Sequence, residues 1–306
     1  LGHALASGGP DLKMLGGGQP ARIPEMNSVW QRRMEEILAD PGGLDRALTS
    51  YDPPNGNPAF IAAVTKLLRD TFGWNITEEN VGVTSGGQTA FYFLFNLLAG
   101  EMSDGSRKRI LLPLIPEYIG YADQGSTGDL FRAVPPIIEE EGAHGFKYRV
   151  DFDNLHVTPD IAAICASRPT NPTGNVLTDD EIRRLSEIAK ANGIPLIIDN
   201  AYGAPFPGIL FSDITPYWDE HVILTLSLSK IGLPGARTGI VVGPPDVIRA
   251  LGSMSAIAGL SNPNIGQQVA LPLIQSGEIL RLSKEVVRPF YLGKNLLARK
   301  AAEEAF

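Results

Sequence analysis

Lys230 follows the apolar run 222–226, which reads as a buried strand, and a Pro234-Gly235 turn comes soon after it. An ammonium at the end of a buried strand is costly unless it is paired or covalently engaged. A lone lysine in such a place is ordinarily a surface residue. Here the small hydroxyls of Ser227 and Ser229 precede it, and Arg237 follows a few positions later. An amine able to form a Schiff base therefore stands beside groups able to hold an anion such as a phosphate.

Further candidates stand where other apolar runs end. The strand 81–84 breaks at Ser85-Gly86-Gly87-Gln88-Thr89 and continues as an apolar helix over 90–98, closed by Gly100. Such a turn presents free backbone N–H groups and the positive end of a helix dipole to an anion, although a plain tight turn has the same composition. The strand 109–114 leads to Pro116-Glu117-Tyr118, where Tyr118 is either a platform for an aromatic ligand or an ordinary half-buried tyrosine. The strand 161–166 ends in Arg168-Pro169-Thr170-Asn171-Pro172. Its prolines set a turn from which Asn171 projects at a strand's carboxyl end, where open α/β sheets bind ligands. The strand 194–198 delivers Asp199-Asn200-Ala201-Tyr202, and an aspartate after such a run is desolvated and calls for a cationic partner.

Positioning these residues requires a sheet with helices on both faces, which the alternation of short apolar runs with amphipathic segments predicts. Helix signals cover 26–38. The rigid turn 51–56, beginning at Tyr51, leads to a helix with Pro58 at its first position, Phe60, Val64, Leu67 and Leu68 on one face and Gly73 at its end. Thr178 and Glu181 form a capping box ahead of a helix with Ile182, Leu185 and Ile188 on its apolar side, stopped by Gly193. A further strand is predicted over 238–242, with covering helices from 246 onward and helix-forming sequence over 294–306.

With 306 residues, 43% hydrophobic and 20% charged, the chain can bury the core of one large domain, or of one large and one small. A net charge of −8 argues against a nucleic-acid surface, which needs a basic face. No apolar run reaches the length of a membrane span. The chain opens at Leu1 rather than Met, so the lack of a targeting signal carries little weight. Cys165, the only cysteine, leaves no disulfide framework or thiolate metal cluster, and inside an apolar run it reads as a small buried hydrophobe. The four histidines have no ligand spacing, and no metal is expected. The glycines of 15–20 lack the strand-to-helix context of a dinucleotide fingerprint.

A glycine turn for phosphate, an aromatic, an asparagine, a buried acid, a tyrosine three residues on and then a lysine, in that order, make up a pyridoxal phosphate site. The segments PEYIGYADQG, SRPTNPTGNV, DNAYGAPFPGI and SLSKIGLPGARTGI resemble the class I and II aminotransferases of fold-type I, over about residues 15–291. The resemblance implies an α/β fold-type I pyridoxal phosphate-dependent transferase. It divides the chain into an N-terminal arm with part of a small domain (1–45), a large cofactor-binding domain with a mostly parallel mixed sheet between helices (46–285), and the start of a helix (286–306) toward a small C-terminal domain whose remainder is absent. It makes Lys230 the Schiff-base lysine and proton carrier, and sets Asp199 against the pyridine nitrogen. Tyr202 and Asn171 bind the ring's phenolic oxygen, Tyr118 stacks on the ring, and Gly86, Gly87, Gln88, Ser227 and Arg237 hold the phosphate. Tyr51 matches a tyrosine that reaches the phosphate of the neighbouring subunit, which implies a homodimer, and Gly18, with Asn171, lies near the substrate.

Two departures stand out. Arg237 follows Lys230 by seven residues where the family pattern has eight, and no match to the family's substrate-carboxylate arginine occurs. The expected reaction is cytoplasmic transamination between a small aliphatic L-amino acid, valine or alanine, and a 2-oxo acid, pyruvate or 2-oxoisovalerate. The rivals are a pyridoxal phosphate lyase of the same fold and a non-catalytic pyridoxal phosphate-binding regulator, though no basic helix-turn-helix precedes the fold. A dinucleotide binder fails on the missing fingerprint.

Overall fold

The strands of the molecule, seen in a computed structural model that describes residues 19–306, are β1 (Val81–Thr84), β2 (Gly100–Glu101), β3 (Arg107–Leu112), β4 (Phe131–Ala133), β5 (Ile137–Glu141), β6 (Gly145–Arg149), β7 (Ile161–Ser167), β8 (Leu196–Asp199), β9 (Val222–Ser227) and β10 (Gly239–Val242). The main sheet runs β1-β10-β9-β8-β7-β3-β2, with β4 beside β3. β4, β3, β7, β8 and β9 are parallel, while β10 runs against both β1 and β9. This is the mostly parallel mixed sheet expected. Gly18 lies outside the described residues.

The parallel strands carry near-continuous apolar sequence because both faces of the sheet are covered. Alternate residues feed two separate cores. Ile164, Ala166, Ile198, Leu224 and Ile240 face one layer with Phe60, Leu68 and Leu185, whereas Ala163, Cys165, Ile197, Ile223 and Val241 face another with Phe91, Phe95 and Leu251. Cys165 is thus the small buried hydrophobe its context predicts.

Register matters most at the strands' carboxyl ends. Ser167 pairs with Asp199, and Asp199 with Thr225. On the other flank Ser227 pairs with Gly239, and Gly239 with Thr84. Because β10 is antiparallel, its first residue lies at the edge where β1 and β9 finish. One rim therefore collects the residues after β1, β7, β8 and β9 together with those before β10.

The helices begin where capping chemistry permits. The Asn57 side chain accepts from the Phe60 amide at 3.1 Å with Pro58 next to it, and Gly73 ends that helix (Pro58–Phe72) in the left-handed region. Thr178 and Glu181 close both halves of their capping box at the start of helix Asp179–Ala191. Helix Pro24–Ala39 buries Met26 and Trp30, and the Trp30 indole N–H donates to the Ile231 carbonyl at 3.0 Å, which pins the turn carrying Lys230.

The β5–β6 hairpin had no signal in the sequence. Its apolar residues, Ile137, Ile138 and Phe146, are exposed rather than alternating toward a core, so periodicity cannot reveal it. Likewise β3 starts at Arg107, ahead of the apolar run, because main-chain pairing extends into solvent beyond the buried residues. The last helix, Arg288–Ala305, buries none of its residues.

Candidate active site

The turn after β1 is built around Gly86, whose φ of 94° and ψ of 163° belong to a region that only glycine enters cheaply. A side chain there would also run into the Arg237 guanidinium. Gly86 caps helix Gly87–Leu98 without a side-chain hydrogen bond, and the amides of Gly87, Gln88 and Thr89 have no acceptor among the described residues. The Gly86 amide itself donates to the Thr84 carbonyl at 2.7 Å, so Gly86 contributes space rather than the donor expected of it. Gly239 is equally constrained, since a Cβ would lie 2.6 Å from Gly86 C and 2.8 Å from Gly87 N. Three free amides at the positive end of a twelve-residue helix make an anion cradle.

Arg237 reaches the same cradle despite the shortened spacing. It sits at φ 48°, just ahead of β10, and its guanidinium donates to the Ser85 carbonyl at 3.2 Å and the Pro234 carbonyl at 3.1 Å. The antiparallel direction of β10, rather than the residue count from Lys230, delivers it there. Ser227 ends β9 nearby, and its hydroxyl accepts from the Ser229 amide at 3.1 Å.

Asp199 ends β8 and is 9% exposed. Its Oδ2 accepts from the Tyr121 hydroxyl at 2.7 Å and its Oδ1 from the Ala201 amide at 3.0 Å. Burial pushes its pKa above the ordinary value, outweighing those two hydrogen bonds and the charge of Lys230. The expected cationic partner is absent at ion-pair distance among the described residues. Lys230 stands instead with its Nζ 4.9 Å from the centre of the Tyr202 ring. Lys230, after β9, thus stands near Tyr202, which follows β8, and Asp199, which ends it.

Tyr118 is half-buried, edge-on to Tyr121 with ring centres 5.5 Å apart. Asn171 lies in the loop after β7 and makes no side-chain hydrogen bond among the described residues, so its amide is free for a ligand. Tyr51 is 80% exposed, and no hydrogen bond ties it to this rim. Arg168 is buried and committed to Asp179 and to the carbonyls of Leu177 and Thr215, away from the site.

Sequence reasoning missed Tyr121, Ser167 and Glu117. Ser167 is the last residue of β7 and so lies beside Asp199; its Oγ is 3.2 Å from the Tyr121 hydroxyl and 2.6 Å from Glu117 Oε2. The position of Ser167 at the end of a predicted strand was the one available signal. The contacts of Glu117 and Tyr121 depend on a loop path that no local pattern encodes.

A buried acid lacking a cation, an amine at the end of the adjacent strand and a glycine cradle for an anion fit pyridoxal phosphate. Comparison with known proteins agrees. The model of the aminotransferase class I and II family matches residues 137–286. The chain is 46% identical over 282 residues to the valine–pyruvate aminotransferase of Escherichia coli K12, covering 92% of this chain and 67% of that protein. The crystal structure of valine–pyruvate aminotransferase from Salmonella typhimurium LT2 superposes with a TM-score of 0.88 at 44% identity, covering 96% of this chain and 73% of that one. The aspartate/prephenate aminotransferase of Thermus thermophilus is 28% identical over 291 residues, 92% of this chain and 69% of that protein. The chain thus spans about two thirds of the length of these curated relatives.

Proposed function

The chain belongs to the class I and II aminotransferases, which use pyridoxal phosphate, and from that premise we propose that it transfers an amino group between a small aliphatic amino acid, valine or alanine, and a 2-oxo acid, pyruvate or 2-oxoisovalerate. The chemistry rests on one observation above the others: Lys230 and the buried Asp199, which forms no ion pair among the described residues, meet at the carboxyl ends of adjacent strands. The choice of substrate rests on the 46% identity to the valine–pyruvate enzyme, against 28% to the aspartate/prephenate one.

When bound, pyridoxal phosphate supplies an electron sink for the charge left on the substrate carbon as its proton departs. In this reading Lys230 would hold the cofactor through its amine, and the same amine would carry that proton. Its position against the Tyr202 ring keeps the amine over the site. Asp199, held as an acceptor by its surroundings, keeps the cofactor's ring nitrogen protonated. Tyr202 and Asn171 would hold the cofactor at its phenolic oxygen, and Tyr118 would pack against its ring. Gly87, Gln88, Ser227 and Arg237 hold the phosphate, with Gly86 providing room.

The same reading takes residues 46–285 as the cofactor-binding domain, with 1–45 and 286–306 leading to the small domain. It makes the protein a cytoplasmic homodimer in which the exposed Tyr51 reaches the partner's phosphate. None of the described helices is long and apolar enough to cross a membrane. A small apolar pocket discriminates by only about 1–3 kcal/mol per methylene, so related aliphatic donors should be accepted. A dicarboxylate instead needs a second buried cation, and Arg168 and Arg237 are both engaged. The test is kcat/KM for valine, alanine, aspartate, glutamate and phenylalanine with pyruvate as acceptor, alongside Lys230→Ala. Valine and alanine should lead, and Lys230→Ala should abolish turnover while still binding the cofactor non-covalently. A tenfold preference for aspartate, about 1.4 kcal/mol, would overturn the substrate; borohydride labelling of another lysine would overturn the site.

A further inference from the structure

Behind Asp199 lies a polar chain that the reaction as described does not use. Glu117 Oε1 accepts from the Ser167 amide at 2.8 Å, and Glu117 Oε2 lies 2.6 Å from Ser167 Oγ and accepts from the Tyr118 amide at 3.1 Å. Ser167 Oγ is 3.2 Å from the Tyr121 hydroxyl, whose hydrogen goes to Asp199 at 2.7 Å. Four oxygens therefore stand in line, joined by three contacts.

Counting hydrogens along this line is decisive. Tyr121 has a single hydroxyl hydrogen, and Asp199, as a carboxylate, can only accept. If Glu117 were also ionised, the serine hydrogen would turn toward it and the Ser167–Tyr121 contact would hold no hydrogen, leaving two lone pairs face to face. If Glu117 carries a proton, each contact holds one hydrogen and all point the same way, toward Asp199. Such a chain polarises its members cooperatively.

We propose that Glu117 is a positioning residue: its carboxyl proton completes the chain Glu117–Ser167–Tyr121–Asp199 and fixes Asp199 as a pure acceptor facing the cofactor's ring nitrogen. The inference rests on the role given to Asp199 above. The electrostatics support it. The carboxyl of Glu117 is turned inward, and burial, with the charge of Asp199 adding to it, pushes its pKa up to about 7 against the lowering effect of its hydrogen bonds to Ser167. The other titratable groups sensing it are Tyr121 and the Cys165 thiol, both held neutral by burial. No lysine or arginine pairs with it at ion-pair distance among the described residues. Lys230 acts on Asp199 rather than on Glu117.

Infrared difference spectra of the cofactor-loaded protein, wild type minus Glu117→Gln, should show a protonated-carboxyl stretch at pH 6 that fades as the pH is raised past neutrality. Its absence at pH 6 would overturn the inference, whatever Asp199 does. The variants supply the second arm. Glutamine can still donate to Ser167 Oγ and accept from the Ser167 amide, losing only the bond from the Tyr118 amide, which its nitrogen cannot accept; Glu117→Gln should therefore keep kcat and the cofactor Kd within about threefold. Glu117→Ala should lower kcat at least tenfold and shift the pH titration of the bound cofactor's absorption band. A glutamine variant as impaired as the alanine variant would mean that the charged carboxylate is required, and an alanine variant like wild type would mean that Glu117 has no role; either result sinks the proposal. If Glu117→Ala does not fold, the infrared band and the glutamine variant still decide. Near-normal turnover in Asp199→Ala would instead sink the underlying reading of Asp199 and leave the infrared result standing.

Discussion

At the β1–β10 edge of the proposed site the candidate ligand-binding groups are backbone amides, opened by two glycines and flanked by an exposed arginine. At the β7–β8 edge they are side chains linked hydroxyl to carboxyl from Glu117 to Asp199, with Tyr121, Ser167 and Asp199 buried. The first edge suits a phosphate, which carries its own charge and needs only donors fixed in space; the amides cost little to leave free because water reaches them. The second suits a ring nitrogen whose protonation must be biased, and that demands a low dielectric and a carboxylate with nowhere else to send its charge. Affinity should therefore reside mainly at the glycine turn, and reactivity mainly at Asp199.

The largest effect should come from Asp199→Ala. Removing the carboxylate is expected to lower kcat by several orders of magnitude while weakening cofactor binding far less, because the ring nitrogen loses the group that favours its charged form. Stopped-flow single turnovers together with a cofactor titration separate the two quantities. Should the loss fall mainly on affinity, the division between the two edges is wrong.

Gly86→Ala probes the opposite edge. Its backbone angles would cost a non-glycine residue roughly 1–3 kcal/mol, and the new methyl would displace the Arg237 guanidinium. Cofactor affinity should fall about 10- to 100-fold, in line with that strain, with kcat of the saturated enzyme changed by no more than severalfold. A kcat loss comparable to that of Asp199→Ala would erase the contrast.

The smallest effect sharpens the buried edge alone and concerns stability without cofactor. Glu117 is raised from 4.5 to about 7 on folding, so between those values the folded state binds more protons than the unfolded one. Stability should therefore fall as pH rises through that window, by up to about 3 kcal/mol, and level off above it. The raised Asp199 acts in the same direction from lower pH. Denaturant unfolding at pH 5 and pH 8 should show the decline in wild type and a shallower one in Glu117→Gln. Equal slopes would mean that Glu117 titrates as an ordinary exposed carboxylate.

Much of this architecture was legible because it rests on local rules. Asn57 with Pro58, Thr178 with Glu181, and the glycines at 73 and 193 announce helix ends by chemistry confined to one turn. Lys230, Asp199, Asn171 and Gly86 could be singled out because each follows an apolar run, and the end of a buried strand is the one place where a polar residue has to be explained. The β5–β6 hairpin could not be read, since its apolar residues face solvent and its pairing is made by main chain.

By itself, then, the chain's pattern determined which residues end strands, where helices start and stop, and that an amine, an acid and an anion cradle belong to one protein. Those features depend on side-chain periodicity and on hydrogen bonds between near neighbours. Only the tertiary structure decided that Arg237 reaches the cradle, because the direction of β10 sets its position and residue spacing does not. It alone also decided that Glu117, Ser167 and Tyr121 line up behind Asp199. That alignment requires β7 and β8 to pair with Ser167 beside Asp199, and the 117–121 loop to fold over both. Contacts between groups so far apart along the chain arise from packing, and no window of sequence contains them.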